Sequence, residues 1–347
     1  MEYFYARLFT LSPEIRSLFP TSMTAQREHL FATLTRLIWS LDSEPECAGL
    51  LRQLGRDHRR FGVLDKHYAA FSSAMQDTVR HCVGAGWTAE TATAWQDALD
   101  YFAAEMMAAA AEAGDTRPWW VAEIVSHELR SPGVAVLRLR TDEALPYQPG
   151  QYVPVQVTRW PRTWRRYSIA TAARPGSLLE LHVRAVPGGL VSNTLVYHCD
   201  IGDSIILGAA DGTMTLSDSD RDLLCVAGGT GLAPIKAIVE HAITAAPAGR
   251  PRKITLFVGA RQHVDLYDLD DLQLLEATHP ALRVIPVLSE QPSFAGLTGM
   301  LSEVVGEHKP AEAAEVYVCG PADMVRQTTA LLGVRVPPGQ IHHDPLP

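Results

Sequence analysis

The sequence predicts a protein of three domains: an all-α domain, an antiparallel β-barrel and an α/β domain with a parallel sheet. Three observations support this prediction. The chain has 347 residues, enough for two or three domains. Apolar residues recur at helical spacing in its first part, and short strands separated by turns follow. In the last part, strands alternate with helices, which is typical of a parallel sheet. We place the three domains at residues 1–113, 118–218 and 219–347.

The composition excludes several classes of protein. The formal net charge of −9 argues against a nucleic-acid partner, because phosphate binding requires a basic surface. No apolar run reaches the roughly 18 residues that a membrane helix needs, so we expect no integral membrane segment. The five cysteines are scattered and form no C-x-x-C pair, which indicates a cytoplasmic protein and excludes a plant-type iron–sulfur domain.

The first 113 residues show helical periodicity. Phe4, Leu8 and Phe9 recur at such a spacing, and Ser12-Pro13-Glu14 is typical of a helix start. An alanine-rich helix is predicted from about Ala89 to Ala113, with Gly114 as its stop. The segment contains no alternating β-branched runs, so we expect it to be all-α.

Short strands follow the linker at residues 114–118. The barrel strands are predicted at Trp120–Val125, Val134–Leu139, Gln151–Val157 and Leu179–Arg184. The strands of the parallel sheet are predicted at Leu223–Ala227, Ile254–Val258, Leu282–Val287 and Val316–Cys319.

A glycine turn joins the first of the parallel strands to an apolar helix. The turn consists of Gly228, Gly229, Thr230 and Gly231. Glycines let the backbone approach a pyrophosphate, and the helix N-terminus supplies N–H donors. A tight connection without a ligand is the alternative, but the strand–turn–helix context favours nucleotide binding. A later strand ends at the same edge of the sheet with Cys319, Gly320 and Pro321.

Candidate flavin-binding residues lie in the barrel segment. Arg166 is suited to pairing with a phosphate, Tyr167 and Tyr152 to stacking on a flat ring, and Ser168 to hydrogen-bonding a ring edge. A second glycine turn before a short helix offers backbone amides to a phosphate. This turn contains Gly188, Gly189, Val191 and Ser192.

In combination, these motifs resemble the ferredoxin–NADP reductase superfamily over about residues 118–347. The resemblance implies that Arg166-Tyr167-Ser168 and the second glycine turn hold FAD, and that the G-G-T-G turn and the C-G-P strand end hold NAD(P)H. In the superfamily's R-x-Y-S motif one residue separates the arginine from the tyrosine, whereas here Arg166 directly precedes Tyr167. At the C-terminus, Asp344 retains the expected acidic residue, whereas Leu346 stands where an aromatic residue would shield the flavin. Arg261 is suited to meeting a 2′-phosphate or to facing solvent, so the choice between NADH and NADPH stays open.

The helical segment resembles the globin part of the flavohaemoglobins. His58 and Tyr68 have the spacing of the proximal haem segment, although Asp57 replaces its lysine. Residues 3–9 resemble the helix that carries the distal tyrosine, and residues 26–28 resemble the segment with the distal glutamine. Trp95 lies on a helix resembling the one whose glutamate completes the proximal triad.

The resemblance implies a haem b group with His58 as the iron ligand. Glu112 and Tyr68 would orient its imidazole and give it anionic character. Tyr5, assisted by Gln26, would donate a hydrogen bond to bound oxygen. Without the resemblance, Tyr5 is an N-terminal packing tyrosine and Glu112 a solvated carboxylate at a helix end.

The sequence also departs from that family. It begins at about the distal tyrosine helix, so most of the first globin helix is expected to be missing. Either the start codon is misplaced or the haem pocket is less covered, and a less covered pocket would lower haem affinity and admit water. The segment between Tyr68 and Trp95 is about two residues longer than in well-known members.

The expected function is that of a nitric oxide dioxygenase, which passes electrons from NAD(P)H through FAD to haem and converts nitric oxide with O2 to nitrate. A first alternative is a flavin reductase or electron-transfer component whose globin part is structural. A second is a haem-based gas sensor, which would not need the reductase domains. The oligomeric state stays open.

Overall fold

The helical unit is formed by residues near the N-terminus. A computed structural model of the chain describes residues 1–173, 176–245, 252–308 and 314–344. The helical unit is the first compact unit of the chain and comprises residues 1–119 with residues 161–163. This unit contains five helices, α1 Glu2–Leu11, α2 Thr24–Trp39, α3 Glu44–His58, α4 Asp65–Val83 and α5 Ala89–Glu112, together with a 3₁₀ helix at Pro13–Leu18.

Local sequence explains where the last of these helices begins and ends. The Thr88 side chain accepts a hydrogen bond from the Thr91 N–H at 3.1 Å, which caps the N-terminus of α5. Beyond its end, Gly114 has a φ of +51°, a left-handed conformation that glycine adopts at low cost. The apolar faces of the helices meet in one core, in which Phe4, Leu51 and Leu99 are almost fully buried.

The second unit, residues 120–160 and 164–347, begins with an antiparallel sheet. Its strands are β1 Trp119–Ser131, β2 Val134–Thr141, β3 Tyr152–Val157, β4 Arg165–Ser168, β5 Leu178–Arg184 and β6 Ser204–Gly208. They follow the order β4-β3-β6-β1-β2-β5. A bridge between Ile169, which follows β4, and Leu181 of β5 joins the two edges, so the sheet is a nearly closed barrel. Helix α6, Leu190–Tyr197, lies between β5 and β6 in sequence.

Alternation along the strands fills the barrel. In β1, the side chains of Trp120, Ala122 and Ile124 are buried, whereas those between them are exposed. The buried set packs with apolar residues of β2, β3 and β5. The same alternation of apolar and polar residues in the sequence is what predicts a strand with one face toward a core.

The rest of the second unit contains a parallel sheet. Its strands are β7 Leu223–Gly228, β8 Ile254–Ala260, β9 Leu282–Leu288, β10 Leu297–Thr298, β11 Glu315–Cys319 and β12 Ile341–His342. They follow the order β10-β9-β8-β7-β11-β12, and every described pairing is parallel. The helices are α7 Leu232–Thr244, α8 Leu269–Thr278, α9 Leu301–Glu307 and α10 Ala322–Leu332. All of β7 is buried, as expected of a central parallel strand.

The strand order reverses at β7. The chain passes from β7 to β8 on one side and returns on the other side with β11. Ligands of open parallel sheets bind at the carboxyl ends of the strands, beside such a reversal. The predicted fold class is therefore confirmed, and the candidate nucleotide turn lies where this rule expects it. Within the described ranges, no helix combines the length and apolarity needed to cross a membrane.

Candidate functional site

Two chain segments meet at the carboxyl edge of the parallel sheet. The G-G-T-G turn follows β7, and Cys319-Gly320-Pro321 follows the adjacent β11. A side chain at Gly231 would collide with the Cys319 carbonyl, and one at Gly228 would lie 3.1 Å from Pro321 Cδ. Glycine is therefore required by the close approach of the two segments. The backbone N–H groups that follow this turn lie at the N-terminus of α7.

A cavity of about 890 Å³ opens above this edge. The nucleotide turn and the Cys319–Pro321 segment line it, and so do Arg166, Tyr167 and Ser168 of β4. The predicted flavin-binding and nicotinamide-binding motifs therefore share one cavity within the second unit. A cavity of this size is in the range of ligand sites in proteins.

The register of β3 and β4 organises the barrel side of this site. Tyr152 pairs with Ser168, and the Arg166 guanidinium lies 5.0 Å from the centre of the Tyr152 ring. The Tyr152 hydroxyl donates to Asp211 at 3.1 Å. Burial, followed by the charge of Asp211, raises the pKa of Tyr152 to about 12, so its phenol stays neutral. Burial likewise raises the pKa of Tyr167 to about 12.

The second glycine turn is built by its own hydrogen bonds. Gly188 has a φ of +70°, and the Ser192 hydroxyl accepts from the Val186 N–H at 3.3 Å and donates to the Gly189 carbonyl at 3.4 Å. The side chain of Val191 lies in the barrel core. Any contact of this turn with a phosphate therefore falls to backbone amides at the start of α6 and to Ser192. Their role in binding stays a prediction.

Asp344 lies beside the same strands. Its Oδ1 would be 3.6 Å from a Cβ at Gly212, a residue that also approaches the Tyr152 ring. Burial, with the charge of Asp211, raises the pKa of Asp344. Oδ1 is buried and has no hydrogen-bond partner among the described residues. An orphaned acceptor beside Tyr152 fits a bound cofactor that carries N–H or O–H donors, such as FAD. Leu346 lies outside the described residues.

Cys319 contributes a neutral thiol to the cavity. Burial raises its pKa to about 12, with a smaller contribution from Asp344. A thiol in this state is a weak donor and a poor nucleophile, so it lines the cavity without the reactivity of a thiolate.

Two further cavity residues were not predicted from the sequence. His182 and Arg184 lie on β5 and line the cavity beside the flavin motif. The His182 ring is engaged on both sides, with Nδ1 2.8 Å from the Tyr267 hydroxyl and Nε2 3.0 Å from Glu180 Oε1. Glu180, His182 and Arg184 recur at a spacing of two, which places them on one face of the strand. This alternation of polar residues in a buried strand was the available signal.

Tyr5 is buried in the helical unit. Only 4% of its surface is exposed, and its ring packs edge-on against Phe4 and Phe19, with ring centres 5.0 and 5.5 Å apart. Its hydroxyl donates to the backbone carbonyl of Gln26 at 3.5 Å, and burial raises its pKa. Tyr5 and Gln26 are thus adjacent, as the resemblance implies, although the contact is to the Gln26 backbone. The weak bond leaves the hydroxyl available to another acceptor.

His58 is the last residue of α3, and its ring is oriented by the preceding turn. Nδ1 lies 2.6 Å from the Leu54 carbonyl, which only accepts, so Nδ1 carries the proton. Burial lowers the pKa of His58, which favours the neutral ring. The lone pair is then on Nε2. A neutral imidazole with one nitrogen fixed by a carbonyl is the donor that haem iron requires, so the ring fits this ligand.

The expected proximal partners lie elsewhere in this structure. The Glu112 carboxylate is exposed and is ion-paired with Arg52, which also lies 3.7 Å from Glu105. Tyr68 is half-buried near the start of α4, and burial raises its pKa. Among the described residues, neither hydrogen-bonds His58. Their orienting role stays a prediction, and Asp57, in place of the family lysine, pairs with Arg60 at 2.6 Å.

Comparison with known protein families assigns each part of the chain. The globin family matches residues 2–106, the FAD-binding domain of oxidoreductases matches residues 121–215, and the NAD-binding domain of oxidoreductases matches residues 225–330. The order of these domains is the one predicted from the sequence.

Two kinds of relative are found. The electron transfer component of a xylene/toluene monooxygenase from Pseudomonas putida is 38% identical over 53% of this chain and 53% of its own length. The chain thus spans about half the length of that relative. A second relative is the reductase component of a naphthalene dioxygenase and salicylate hydroxylase system from Ralstonia, of which the chain spans 65%. A flavohemoprotein from Deinococcus radiodurans is 29% identical over 95% of this chain and 87% of its own length.

The whole fold also has a solved counterpart. The flavohemoglobin of Malassezia yamatoensis, solved with FAD and haem, covers 98% of this chain with a TM-score of 0.78, 15% identity and 91% coverage of its own length. At this identity the likeness concerns the fold alone. The three matches show a globin domain followed by FAD-binding and NAD-binding oxidoreductase domains in one chain, and the Deinococcus flavohemoprotein is similar to this chain over 95% of its length.

Proposed function

We propose that this NAD(P)H oxidoreductase is a nitric oxide dioxygenase that uses FAD and haem b and converts nitric oxide and O2 to nitrate. The observation that carries the proposal is the presence, in one chain, of a half-buried imidazole whose Nδ1 is held by the Leu54 carbonyl and of a cavity that unites flavin and nicotinamide motifs. When bound, FAD would accept a hydride from NAD(P)H and pass single electrons to haem, where O2 and nitric oxide react.

In the second unit, this chain's residues would bind and orient the two nucleotides. Amides of Gly229–Gly231 and the N-terminus of α7 would hold the pyrophosphate of NAD(P)H. Arg166 would pair with an FAD phosphate, Tyr167 would cover the flavin ring, and Ser168 would hydrogen-bond its edge. The cavity walls would exclude bulk water from the nicotinamide.

In the helical unit, His58 would ligate the iron through Nε2, with Nδ1 held by the Leu54 carbonyl. Tyr5 would donate a hydrogen bond to the partial negative charge of the bound gas, and Gln26 would assist. The raised pKa of Tyr5 keeps this hydroxyl protonated. Glu112 and Tyr68 would give the imidazole anionic character only after Glu112 leaves Arg52.

The proposal is tested by following nitric oxide with an electrode in the presence of NADH and the purified, haem-loaded protein. We expect rapid consumption in air, formation of nitrate in amounts equal to the nitric oxide lost, and no consumption without O2. Consumption at the rate of a flavin-only sample would overturn the proposal.

A second candidate is a reductase whose globin part is structural. Two observations favour it: the relatedness to reductase components of oxygenases and the pairing of Glu112 with Arg52. An optical spectrum of the isolated protein separates the candidates. A haem band that responds to dithionite and carbon monoxide supports the dioxygenase, whereas a flavin spectrum that persists after haem supplementation supports the reductase.

A further inference from the structure

A buried polar network connects the barrel to the parallel-sheet part of the second unit. From the barrel come Arg130, Glu180 and His182; from the sheet part come Lys236, Tyr267 and Asp268. Glu180, His182, Lys236 and Asp268 are each less than a tenth exposed. Buried ionisable groups at this density require a reason, because charged residues are rarely buried unless paired.

The ionic part of the network centres on Asp268. Its Oδ2 accepts from Lys236 Nζ at 2.8 Å, and its Oδ1 accepts from Arg130 at 2.8 Å. Lys236 also donates to Glu180 Oε1 at 3.1 Å, so the ammonium binds one carboxylate of each part. Burial lowers the pKa of Lys236, but the charges of Asp268 and Glu180 raise it more, and the group stays charged.

The network ends at the cavity with His182. Because the Glu180 carboxylate accepts, Nε2 donates to it, and Nδ1 lies 2.8 Å from the Tyr267 hydroxyl. Burial, together with the charge of Asp268, raises the pKa of Tyr267, so this hydroxyl keeps its proton. The two rings also meet edge-on, with centres 5.3 Å apart. His182 therefore joins the cavity wall to the loop that precedes α8.

Stability alone does not explain such a network. The free energy needed to desolvate a buried ion pair is about as large as the attraction between its charges. A protein with apolar residues of similar volume in their place is therefore often equally stable. What a directional network adds is a defined geometry between the parts it joins. Here those parts carry Ser168 on one side of the cavity and the Gly228–Gly231 turn on the other.

We propose that His182 and Tyr267 are positioning residues, which hold the nicotinamide-binding edge of the sheet at the distance from the flavin-binding strand that hydride transfer needs. In that step the C4–H bond of the reduced nicotinamide breaks with both electrons, a bond to flavin N5 forms, and oxidised nicotinamide remains. Neither positioning residue gains or loses a proton. The proposal rests on the reductase half of the proposed function and is independent of the gas chemistry.

The test uses Tyr267→Phe, which keeps the ring and removes the hydroxyl. In anaerobic rapid mixing with saturating NADH, we expect flavin bleaching to slow roughly tenfold. A displacement of about 1 Å between the reacting groups is enough to slow hydride transfer by that factor. We also expect a weaker long-wavelength charge-transfer band between flavin and nicotinamide. The dissociation constant of FAD, measured by fluorescence, should stay within about twofold of the unmodified protein.

The matched control is Tyr317→Phe. Like Tyr267, Tyr317 is buried, and its hydroxyl accepts from the Ser217 N–H at 2.8 Å and donates to the Thr215 carbonyl at 3.3 Å, away from the cavity. It should lose comparable stability and bleach flavin at the normal rate. A second pair, His182→Leu and His182→Gln, tests rescue, because only glutamine retains a donor and an acceptor.

Two outcomes would overturn the proposal. One is a normal bleaching rate and a normal charge-transfer band in both Tyr267→Phe and His182→Leu. The other is a rate that is slow at limiting NADH or FAD but normal when both are saturating, which would make these residues binding groups. Because these readouts follow flavin and nicotinamide only, a failure to consume nitric oxide leaves the result unaffected.

Discussion

His58 owes its expected chemistry to a single hydrogen bond at the end of α3. The Leu54 carbonyl fixes the proton on Nδ1, and burial lowers the pKa of the ring, so Nε2 presents a lone pair. We predict that His58→Ala loses haem retention while NADH-dependent reduction of an artificial dye continues. Absorbance of haem and flavin in the purified variant, with a dye assay, checks this. Loss of the dye activity as well would show that the two units do not function separately.

Tyr5 differs from other tyrosines of the helical unit in its burial and its weakly engaged hydroxyl. We predict that Tyr5→Phe speeds dissociation of O2 from the ferrous protein roughly tenfold, which corresponds to one hydrogen bond of about 1.4 kcal/mol. Flash photolysis measures this rate. Tyr3→Phe is the control, because Tyr3 is 39% exposed and stacks on His81. Equal rates in both variants would remove Tyr5 from the gas site.

The sequence marked His58 and Tyr5 as candidate site residues but not His182, for a physical reason. The first two lie in local patterns of helix spacing and motif, whereas the partner of His182 is Tyr267, 85 residues away. The resemblance also marked Glu112 as the proximal glutamate, but its carboxylate is paired with Arg52 in the folded unit. Side-chain pairing depends on the packing of helices, which sequence spacing does not encode.

At the scale of elements, the turn between β7 and α7 depends on close backbone approach. We predict that Gly231→Ala destabilises the protein by about 1–3 kcal/mol and weakens NADH binding, because the added methyl collides with the Cys319 carbonyl. Thermal unfolding and NADH titration measure the two effects. In Gly49→Ala, the control, the methyl meets nothing within 4 Å on α3, and a gain of about 0.5–1 kcal/mol is expected. Equal stability of the two variants would contradict this explanation.

The contact between β5 and α7 makes stability depend on pH. Burial raises the pKa of Glu180, but the His182 hydrogen bond and the Lys236 charge lower it more, so the net shift is downward. The unfolded chain then binds this proton more tightly. The stabilisation is present above the ordinary glutamate pKa of about 4.3 and is lost as the pH falls towards the folded-state value.

We predict that the midpoint of thermal unfolding of the second unit falls less steeply below about pH 4.3 in Glu180→Gln than in the unmodified protein. Calorimetry over a pH series measures the slopes, and Glu123→Gln, at an exposed position of β1, is the control. Identical slopes in all three proteins would show that Glu180 does not carry this dependence.

The elements themselves were predictable where local pattern decides them. The buried run of β7 and the alanine-rich α5 occupy the expected stretches, whereas β1 begins as expected and continues six residues beyond its predicted end, to Ser131. The strand order was not predictable, because the pairing of β11 with β7 joins segments about 90 residues apart along the chain. This pairing is what brings Cys319 to Gly231 and completes the nucleotide edge.

At the scale of the whole molecule, one chain carries three chemistries: nicotinamide and flavin in the second unit and haem in the helical unit. The comparisons establish a globin domain followed by FAD-binding and NAD-binding domains, whereas electron transfer to haem is the proposed step. A purely structural globin part would leave the flavin reducible and the haem, if present, unaffected.

The most direct measurement is the anaerobic addition of NADH to the protein under carbon monoxide, followed by absorption spectroscopy. We expect flavin to bleach and the ferrous carbon monoxide band of haem then to form without any chemical reductant. Bleaching of flavin while the haem band stays ferric, although dithionite converts it fully, would contradict the central claim.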